Sequence, residues 1–137
     1  MKILVDSNVA LDYMLQREPF FDDAERVVAL VSGKVEIMIS ASVVTDVFYI
    51  TRRHLGEKKQ AMTALKKLLF RINVATVSED EIHQAIALDW SDFEDAVQYV
   101  SGRTACVDFI VTRDKKNYCS ASIPVVSPDE LLALLQA

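Results

Sequence analysis

Short, largely apolar runs alternate along the chain with longer segments in which apolar residues recur at helical spacing. Five such runs predict strands, at residues 3–5, 36–39, 74–77, 109–111 and 124–126. Strands that are separated by one or two helices pair in parallel through crossover connections. The pattern therefore predicts an α/β fold, a three-layer α/β/α sandwich around a central, mostly parallel sheet of four to five short strands.

The helical segments carry start and stop signals. Ser78 and Ser127 each precede a glutamate by three residues, which is the spacing of a capping box, and Asp92 is placed to cap another helix. Gly33 predicts the end of the second helix, because glycine is favoured just past a helix terminus. Helices are predicted over residues 8–16, 20–32, 42–54, 57–71, 78–88, 92–103 and from 127 to the C-terminus.

Composition narrows the class of protein. A chain of 137 residues that is 51% hydrophobic suits one domain over residues 1–137 and excludes intrinsic disorder. With only 3 Gly, the chain has no glycine-rich phosphate loop. Cys106 and Cys119 form no disulfide framework, and the first residues lack the pattern of a signal peptide. These features predict a reduced, cytoplasmic setting without a membrane span.

Charge is distributed unevenly. The net charge of −5 argues against binding of nucleic acid by bulk charge alone. Residues 52–71, however, hold seven basic residues against one acidic residue, a net of +6, whereas residues 78–95 hold seven acidic and no basic residues. The basic stretch is either a solvated helix face or a track for a phosphate backbone. The residues expected to contact such a backbone are Arg52, Arg53, Arg113, Lys115 and Lys116.

Carboxylates lie just beyond the ends of predicted strands, at the sheet edge where parallel α/β folds bind ligands. Asp6 follows the first strand, Asp46 lies one turn into the helix after the second, and Asp114 follows the fourth; Asp92 and Asp95 share one face of a helix start. Converging carboxylates repel each other unless protons or cations neutralise them. Oxygen ligands suit hard ions, so the site predicts Mg²⁺ or Mn²⁺.

Each acid also has a purely structural interpretation. Asp92 is well placed as an N-cap, and Asp95 gains from the helix dipole. Asp46 fits a solvated helix position and Asp114 a turn. Asp12 is more typical of an ordinary polar position, although its spacing from Asn8 allows it to support a metal-binding residue.

Four segments in chain order resemble the PIN-domain family, to which the VapC toxins of type II toxin–antitoxin pairs belong. They are ILVDSNVALD at 3–12, ISASVVTDVFY at 39–49, DFEDAVQ at 92–98 and FIVTRDKKNY at 109–118. The resemblance covers nearly the whole chain. It implies a Mg²⁺- or Mn²⁺-dependent endoribonuclease that cleaves RNA phosphodiester bonds, with a small antitoxin protein as partner.

Matching these motifs residue by residue implies catalytic, metal-binding roles for Asp6, Asp46, Asp95 and Asp114, with Asn8, Thr112, Asp92 and Asn117 in support. Two positions depart from the family pattern. Asp46 stands where glutamate is usual, and Asn117 occupies a place that often carries an acid.

Two alternatives follow from these residues. The departures at Asp46 and Asn117 allow a PIN-like module that binds RNA or protein without cleaving. Asp6 after a strand also resembles the nucleophile of haloacid-dehalogenase-like phosphohydrolases, although those enzymes use D-x-D and this chain has D-S-N. A homodimer is expected as well, because the mean hydropathy of +0.18 leaves apolar surface to cover; the candidates are Phe20, Phe21, Phe48 and Tyr49.

Overall fold

A computed structural model describes residues 1–136 and contains a five-stranded parallel sheet. The strand order is β3-β2-β1-β4-β5, and every neighbouring pair is parallel. The predicted α/β sandwich is confirmed. The strands are Lys2–Val5 (β1), Glu36–Ser40 (β2), Asn73–Ala75 (β3), Phe109–Val111 (β4) and Val125–Val126 (β5).

Seven helices connect the strands and cover both faces of the sheet. A 3-10 turn over Lys115–Tyr118 follows β4 and was not predicted from the sequence. The helices are Ser7–Leu15 (α1), Phe21–Val28 (α2), Ala41–Leu55 (α3), Lys58–Arg71 (α4), Glu79–Leu88 (α5), Phe93–Thr104 (α6) and Pro128–Leu135 (α7).

Alternating side chains of β1 divide the core into two parts. Ile3 and Val5 pack with residues of α1, α2, α3, α4 and α7 on one face of the sheet. Leu4, from the opposite face, packs with residues of α5 and α6. Because side chains along a strand alternate between faces, a strand that is buried on both must be apolar throughout. This explains the uninterrupted Ile3-Leu4-Val5 run.

The helix starts follow the capping chemistry of the sequence. Ser78 and Ser127 form complete capping boxes, and the Asp92 carboxylate accepts a hydrogen bond from the backbone N–H of Asp95, as predicted. Gly33 was wrongly expected to end α2. That helix stops at Val28, and the Ser32 hydroxyl instead organises the next turn by accepting from two backbone N–H groups.

The sheet order places three strand ends together. β1 lies between β2 and β4, and their carboxyl ends lead directly into α1, α3 and the 3-10 turn. The start of α6 approaches the same edge, since its residues contact both α3 and the 3-10 turn. Within residues 1–136, no helix combines the length and apolarity needed to cross a membrane.

Candidate functional site

Asp6 lies where β1 ends and α1 begins, and it is only 4% exposed. It is the N-cap of α1, and its Oδ1 accepts a hydrogen bond from the Ser7 backbone N–H at 2.6 Å. Its Oδ2 accepts one from the Thr112 hydroxyl at 2.8 Å. A carboxylate at a helix N-terminus is favoured by the helix dipole, which here stabilises a buried charge.

The Thr112 hydroxyl joins three parts of the site. It is fully buried and accepts hydrogen bonds from Asn8 Nδ2 at 3.1 Å and from the Asp114 backbone N–H at 3.0 Å, while it donates to Asp6. Asn8 Oδ1 in turn accepts from the Arg113 backbone N–H. The start of α1 and the segment after β4 are thereby held together.

Asp95 enters the pocket from the first turn of α6 and is 8% exposed. Burial raises the pKa of its carboxyl to about 6, and the charges of Asp6 and Asp92 contribute in the same direction. A carboxyl whose pKa responds to Asp6 lies close enough to repel it. The sequence-predicted pair Asp6 and Asp95 is thus brought together.

The 3-10 turn supplies hydrogen-bond donors to these acids. Asn117 Nδ2 donates to Asp114 Oδ2 at 3.1 Å, and the buried Tyr118 hydroxyl donates to Asp95 Oδ1 at 3.3 Å. Burial beside Asp6 and Asp95 raises the pKa of Tyr118, which keeps the hydroxyl protonated. A neutral amide at 117 can donate to Asp114, whereas a carboxylate there could not.

Gln98 is a site residue that was not predicted from the sequence. It is 1% exposed, and its Nε2 donates to Asp95 Oδ1 at 3.1 Å. Its Oε1 has no hydrogen-bond partner within residues 1–136. An unpaired buried amide oxygen is costly, so Gln98 Oε1 is an unsatisfied polar atom on a residue that contacts Asp95.

Asp12 is also more than an ordinary polar position. It is 1% exposed, and Arg17 Nε donates to its Oδ1 at 2.9 Å. Arg113 donates to the same carboxylate through Nε and Nη2 and stacks its guanidinium on the Phe20 ring, 3.8 Å from the centroid. The Arg113 side chain, expected to bind RNA, is therefore already paired with a carboxylate of the same chain, although it remains partly exposed.

Asp46 is exposed, unlike the buried Asp6 and Asp95. It lines a groove of about 290 Å³ together with Ser7, Tyr49 and Glu94, and it makes no side-chain hydrogen bond to a residue of the described chain. Glu94, which was not predicted from the sequence, is the acid that shares this groove.

The basic track, formed by the seven basic side chains of residues 52–71, keeps its charges in solvent. All seven are exposed, and none forms an ion pair with a residue in 1–136. Lys115 differs, because it pairs with Glu130 at 2.7 Å and lowers the pKa of that glutamate to about 2. Lys116 is exposed and has no such partner in the described part of the chain.

Asp6, Asp95 and Asp114 together form what we call the acid pocket. The oxygen ligands of this pocket are those that a hard cation prefers. In residues 1–136 no three His, Cys, Asp or Glu side chains converge closely enough to hold a metal ion by themselves. Asp6 and Asp95 are both oxygen donors and repel each other, and Gln98, whose Nε2 contacts Asp95, has a buried Oε1 without a partner in the described residues. A cation would relieve that repulsion.

Comparison with known sequences gives a family match over most of the chain. The family model described as the PIN domain matches residues 2–116. A curated relative, ribonuclease VapC1 of Aquifex aeolicus (strain VF5), is 26% identical over 135 residues, which cover 94% of this chain and 92% of the relative.

Solved structures share the fold. VapBC2 from Rickettsia felis, solved bound to a DNA fragment from its promoter, superposes with a TM-score of 0.73 at 16% identity, covering 93% of this chain and 98% of that one. Mycobacterium tuberculosis VapC20, a toxin that cleaves the sarcin–ricin loop, gives 0.70 at 18% identity over 86% and 94%. A toxin–antitoxin complex from Klebsiella pneumoniae gives 0.67 at 20% identity over 92% and 97%.

Proposed function

The chain belongs to the PIN-domain family, and we propose that it is a metal-dependent endoribonuclease in which Asp6 and Asp95 hold Mg²⁺ or Mn²⁺ and Asp114 supports them from the rim of the site. The observation that carries the proposal is the buried pair of Asp6 and Asp95, whose mutual repulsion helps to raise the pKa of Asp95 to about 6. Two buried carboxylates that repel each other destabilise the fold, whereas a cation site requires such carboxylates.

The curated relative supports ribonuclease activity in particular. It is named a ribonuclease and matches along almost its full length, so the proposed activity applies to the whole of the aligned region. A bound divalent ion would supply Lewis-acid activation of water and charge stabilisation at a backbone phosphate.

The chain's own residues would prepare the site for that chemistry. Thr112 and Ser7 orient the Asp6 carboxylate, and Tyr118 with Gln98 orients that of Asp95. Asn117 fixes Asp114 at the rim. Fixed donors of this kind lower the reorganisation that is needed when substrate binds. The exposed position of Asp46 suits contact through water better than direct ligation.

We propose that RNA approaches along the basic track. The exposed Arg52 and Arg53 end α3, whose first turns lie beside the acid pocket, and Lys116 lies on the other side next to Asn117. Phosphate contacts of this kind position the strand without reading its sequence. Arg113 and Lys115 already form ion pairs with Asp12 and Glu130, so they contribute less than these three residues.

The toxin role and its partners are part of the same proposal. The Klebsiella pneumoniae structure is a toxin–antitoxin complex, which supports a small antitoxin for this chain as well. Tyr49 and Ile50 are exposed apolar residues on the rim of the Asp46 groove and could receive an antitoxin segment or a second copy in a homodimer. Of the apolar residues proposed from the sequence, Phe20 and Tyr49 are exposed, whereas Phe21 is half-buried. A cytoplasmic location remains a prediction.

A second candidate function is a PIN-like module that binds RNA or protein without cleaving it. The exposed Asp46 and the neutral Asn117 favour this alternative, because both reduce the negative charge available to hold a cation. Calorimetric titration with Mn²⁺ separates the two. The nuclease proposal predicts saturable binding that Asp6→Asn abolishes, with Asp108→Asn, at the opposite end of β4, as the matched control. Absence of binding at millimolar Mn²⁺ and Mg²⁺ supports the non-catalytic module.

A further inference from the structure

A groove of about 420 Å³ includes Asn117, which contacts Asp114, and shares no lining residue with the groove that Asp46 lines. Its walls come from the link between α5 and α6, which includes Trp90 and Ser91, and from the 3-10 turn and the residues after it, which include Lys116, Asn117 and Cys119. The volume is in the range of small-molecule pockets. No residue of this groove has a role in the chemistry proposed above except Asn117 and Lys116.

Trp90, the only tryptophan in the chain, is held rigidly in this wall. Its ring stacks on Tyr99 with centroids 4.9 Å apart, and it meets the edge of Tyr118 at 6.0 Å. The residue is nevertheless only half-buried, so part of it remains open to the groove. An indole that is already fixed and partly open can stack on a ligand, and binding of the ligand does not have to offset the entropy cost of immobilising the side chain.

The groove is connected to the acids by direct contacts. Tyr118, which packs against Trp90, donates a hydrogen bond to Asp95, and Asn117 in the groove wall donates to Asp114. A ligand that lies against Trp90 is therefore separated from the acid pocket by one layer of side chains. Lys116 supplies an exposed positive charge next to Asn117.

We propose that this groove binds one unstacked nucleobase of a single-stranded RNA, with the base against Trp90 and a neighbouring phosphate at Lys116. The inference rests on the proposed ribonuclease function and adds a base-binding subsite to it. Single-stranded RNA is recognised by bases that stack on aromatic side chains and hydrogen-bond along their edges. Asp89 and Ser91 in the wall offer an acceptor and a hydroxyl for such an edge.

A peptide or a free phosphate fits these residues less well. A phosphate alone would make no stacking contact with the indole, and the Asp89 carboxylate in the wall would repel it. An apolar peptide side chain would leave the Asp89, Lys116 and Asn117 groups without partners, which is costly once they are covered. A nucleotide satisfies both the aromatic and the polar part of the wall.

The test uses the fluorescence of Trp90 in the full chain with EDTA present, so that neither metal nor cleavage is involved. The probe is a single-stranded ribotetranucleotide, and its control is the same sugar–phosphate chain without bases. The proposal predicts saturable quenching by the tetranucleotide and none by the abasic chain. Equal quenching by both, or none by either, overturns the base subsite.

Cysteine alkylation gives a second readout that does not depend on tryptophan. Cys106 and Cys119 are both exposed free thiols, but only Cys119 lines the groove. The tetranucleotide should slow iodoacetamide labelling of Cys119 and leave Cys106 unchanged. Equal protection of both thiols, or of neither, contradicts the proposal.

Variants separate the base contact from the phosphate contact. Lys116→Ala should weaken binding of a labelled tetranucleotide about tenfold, measured by anisotropy. The matched control Lys34→Ala removes an exposed lysine that precedes β2 at the far end of the sheet, and it should leave binding unchanged. Trp90→Leu should weaken binding and Trp90→Phe should restore most of it. Equal binding by the Leu and Phe variants, once both are shown to fold, overturns the stacking role.

The two proposals fail in different ways. Selective quenching by the tetranucleotide without any metal-dependent cleavage supports the subsite and contradicts the ribonuclease. If the protein cleaves RNA in a metal-dependent way, but its Trp90 fluorescence does not distinguish the tetranucleotide from the abasic chain, the ribonuclease is supported and the subsite is overturned.

Discussion

Arg113 Nε donates a hydrogen bond to Asp12 Oδ2 at 2.7 Å, although these residues are 101 positions apart. The carboxylate is almost fully buried, and Arg17 is its second partner. Through this pair the segment that carries Thr112 and Asp114 is fastened to α1, the helix that begins at Asp6. The ion pair thus lies behind the acid pocket and fixes its two sides relative to each other.

Replacing Asp12 should destabilise the protein strongly. Asp12→Asn leaves two guanidinium groups beside a neutral amide, and breaking a buried ion pair in this way costs about 2–4 kcal/mol when the arginines keep partial access to water. Arg17→Ala should cost about 1 kcal/mol, because Arg113 still neutralises the carboxylate. Urea unfolding followed by circular dichroism measures both. Equal stability of Asp12→Asn and the wild type would contradict a structural role for the pair.

Thr112 should be required for its hydroxyl rather than for its volume. Thr112→Val keeps the shape but leaves the Asn8 amide and the Asp114 N–H without an acceptor and Asp6 Oδ2 without its donor, which costs about 1–3 kcal/mol. RNA cleavage should fall at least about tenfold, since a misplaced carboxylate weakens the metal site. Thr112→Ser retains the hydroxyl and should retain most of the activity. If the valine variant cleaves as fast as the serine variant, the hydroxyl does not orient Asp6.

The ionised Asp95 carboxylate should destabilise the metal-free folded protein. Its pKa is raised to about 6 in the folded protein, while the unfolded value is near 3.8, so the folded state binds more protons between these two values. The metal-free protein therefore loses stability as pH rises from about 4 to about 6, by up to about 3 kcal/mol.

Asp95→Asn removes that cost. In EDTA the variant should be more stable than the wild type by about 1–3 kcal/mol at pH 7.5, and the two should converge near pH 3.5, where Asp95 is protonated in the folded state and largely so in the unfolded state. Thermal unfolding across this pH range measures the difference. A variant that is less stable than the wild type at pH 7.5 would show that the Asp95 charge is not strained.

The basic track should act through salt-sensitive phosphate contacts. Replacing Arg52 and Arg53 together with alanine should reduce the slope of log K against log salt by about 1.4 for single-stranded RNA, because each phosphate that an arginine neutralises contributes about 0.7. Lys34→Ala, which removes an exposed lysine that precedes β2 at the far end of the sheet, is the control and should leave the slope unchanged. An unaltered slope in the double variant would exclude these arginines from the RNA interface.

The sequence predicted the parts of this fold that depend on local chemistry. The apolar strands, the Ser78 and Ser127 capping boxes and the Asp92 cap depend on neighbouring residues, and each is present. The end of α2 was misplaced because the apolar residues Leu30 and Val31 continue the helical pattern, while they pack on the core from a turn that Ser32 stabilises.

The acid pocket was predictable only in part. Asp6 and Asp114 follow strand ends, so the parallel topology alone brings them to one edge. Asp12 was undervalued because its partner Arg113 is distant in sequence, and Gln98 and Tyr118 gave no signal because donors inside a helix or a turn have no characteristic spacing. Asp46 is the converse case, because the motif match predicted it as a metal-binding residue. The match does not determine whether an aspartate, which is shorter than the usual glutamate, reaches the metal.

Cleavage of single-stranded RNA with and without Mn²⁺, by the wild type and by Asp95→Asn, tests the central claim most directly. The wild type should cleave only when the metal is present. Asp95→Asn should remain folded and lose at least about a hundredfold in rate, because loss of a residue that holds the metal should cost more than the roughly 10–100-fold typical of groups that only orient such residues. Cleavage that persists in EDTA, or an Asp95→Asn variant that cleaves as fast as the wild type, would contradict a metal-dependent nuclease built on this pair of acids.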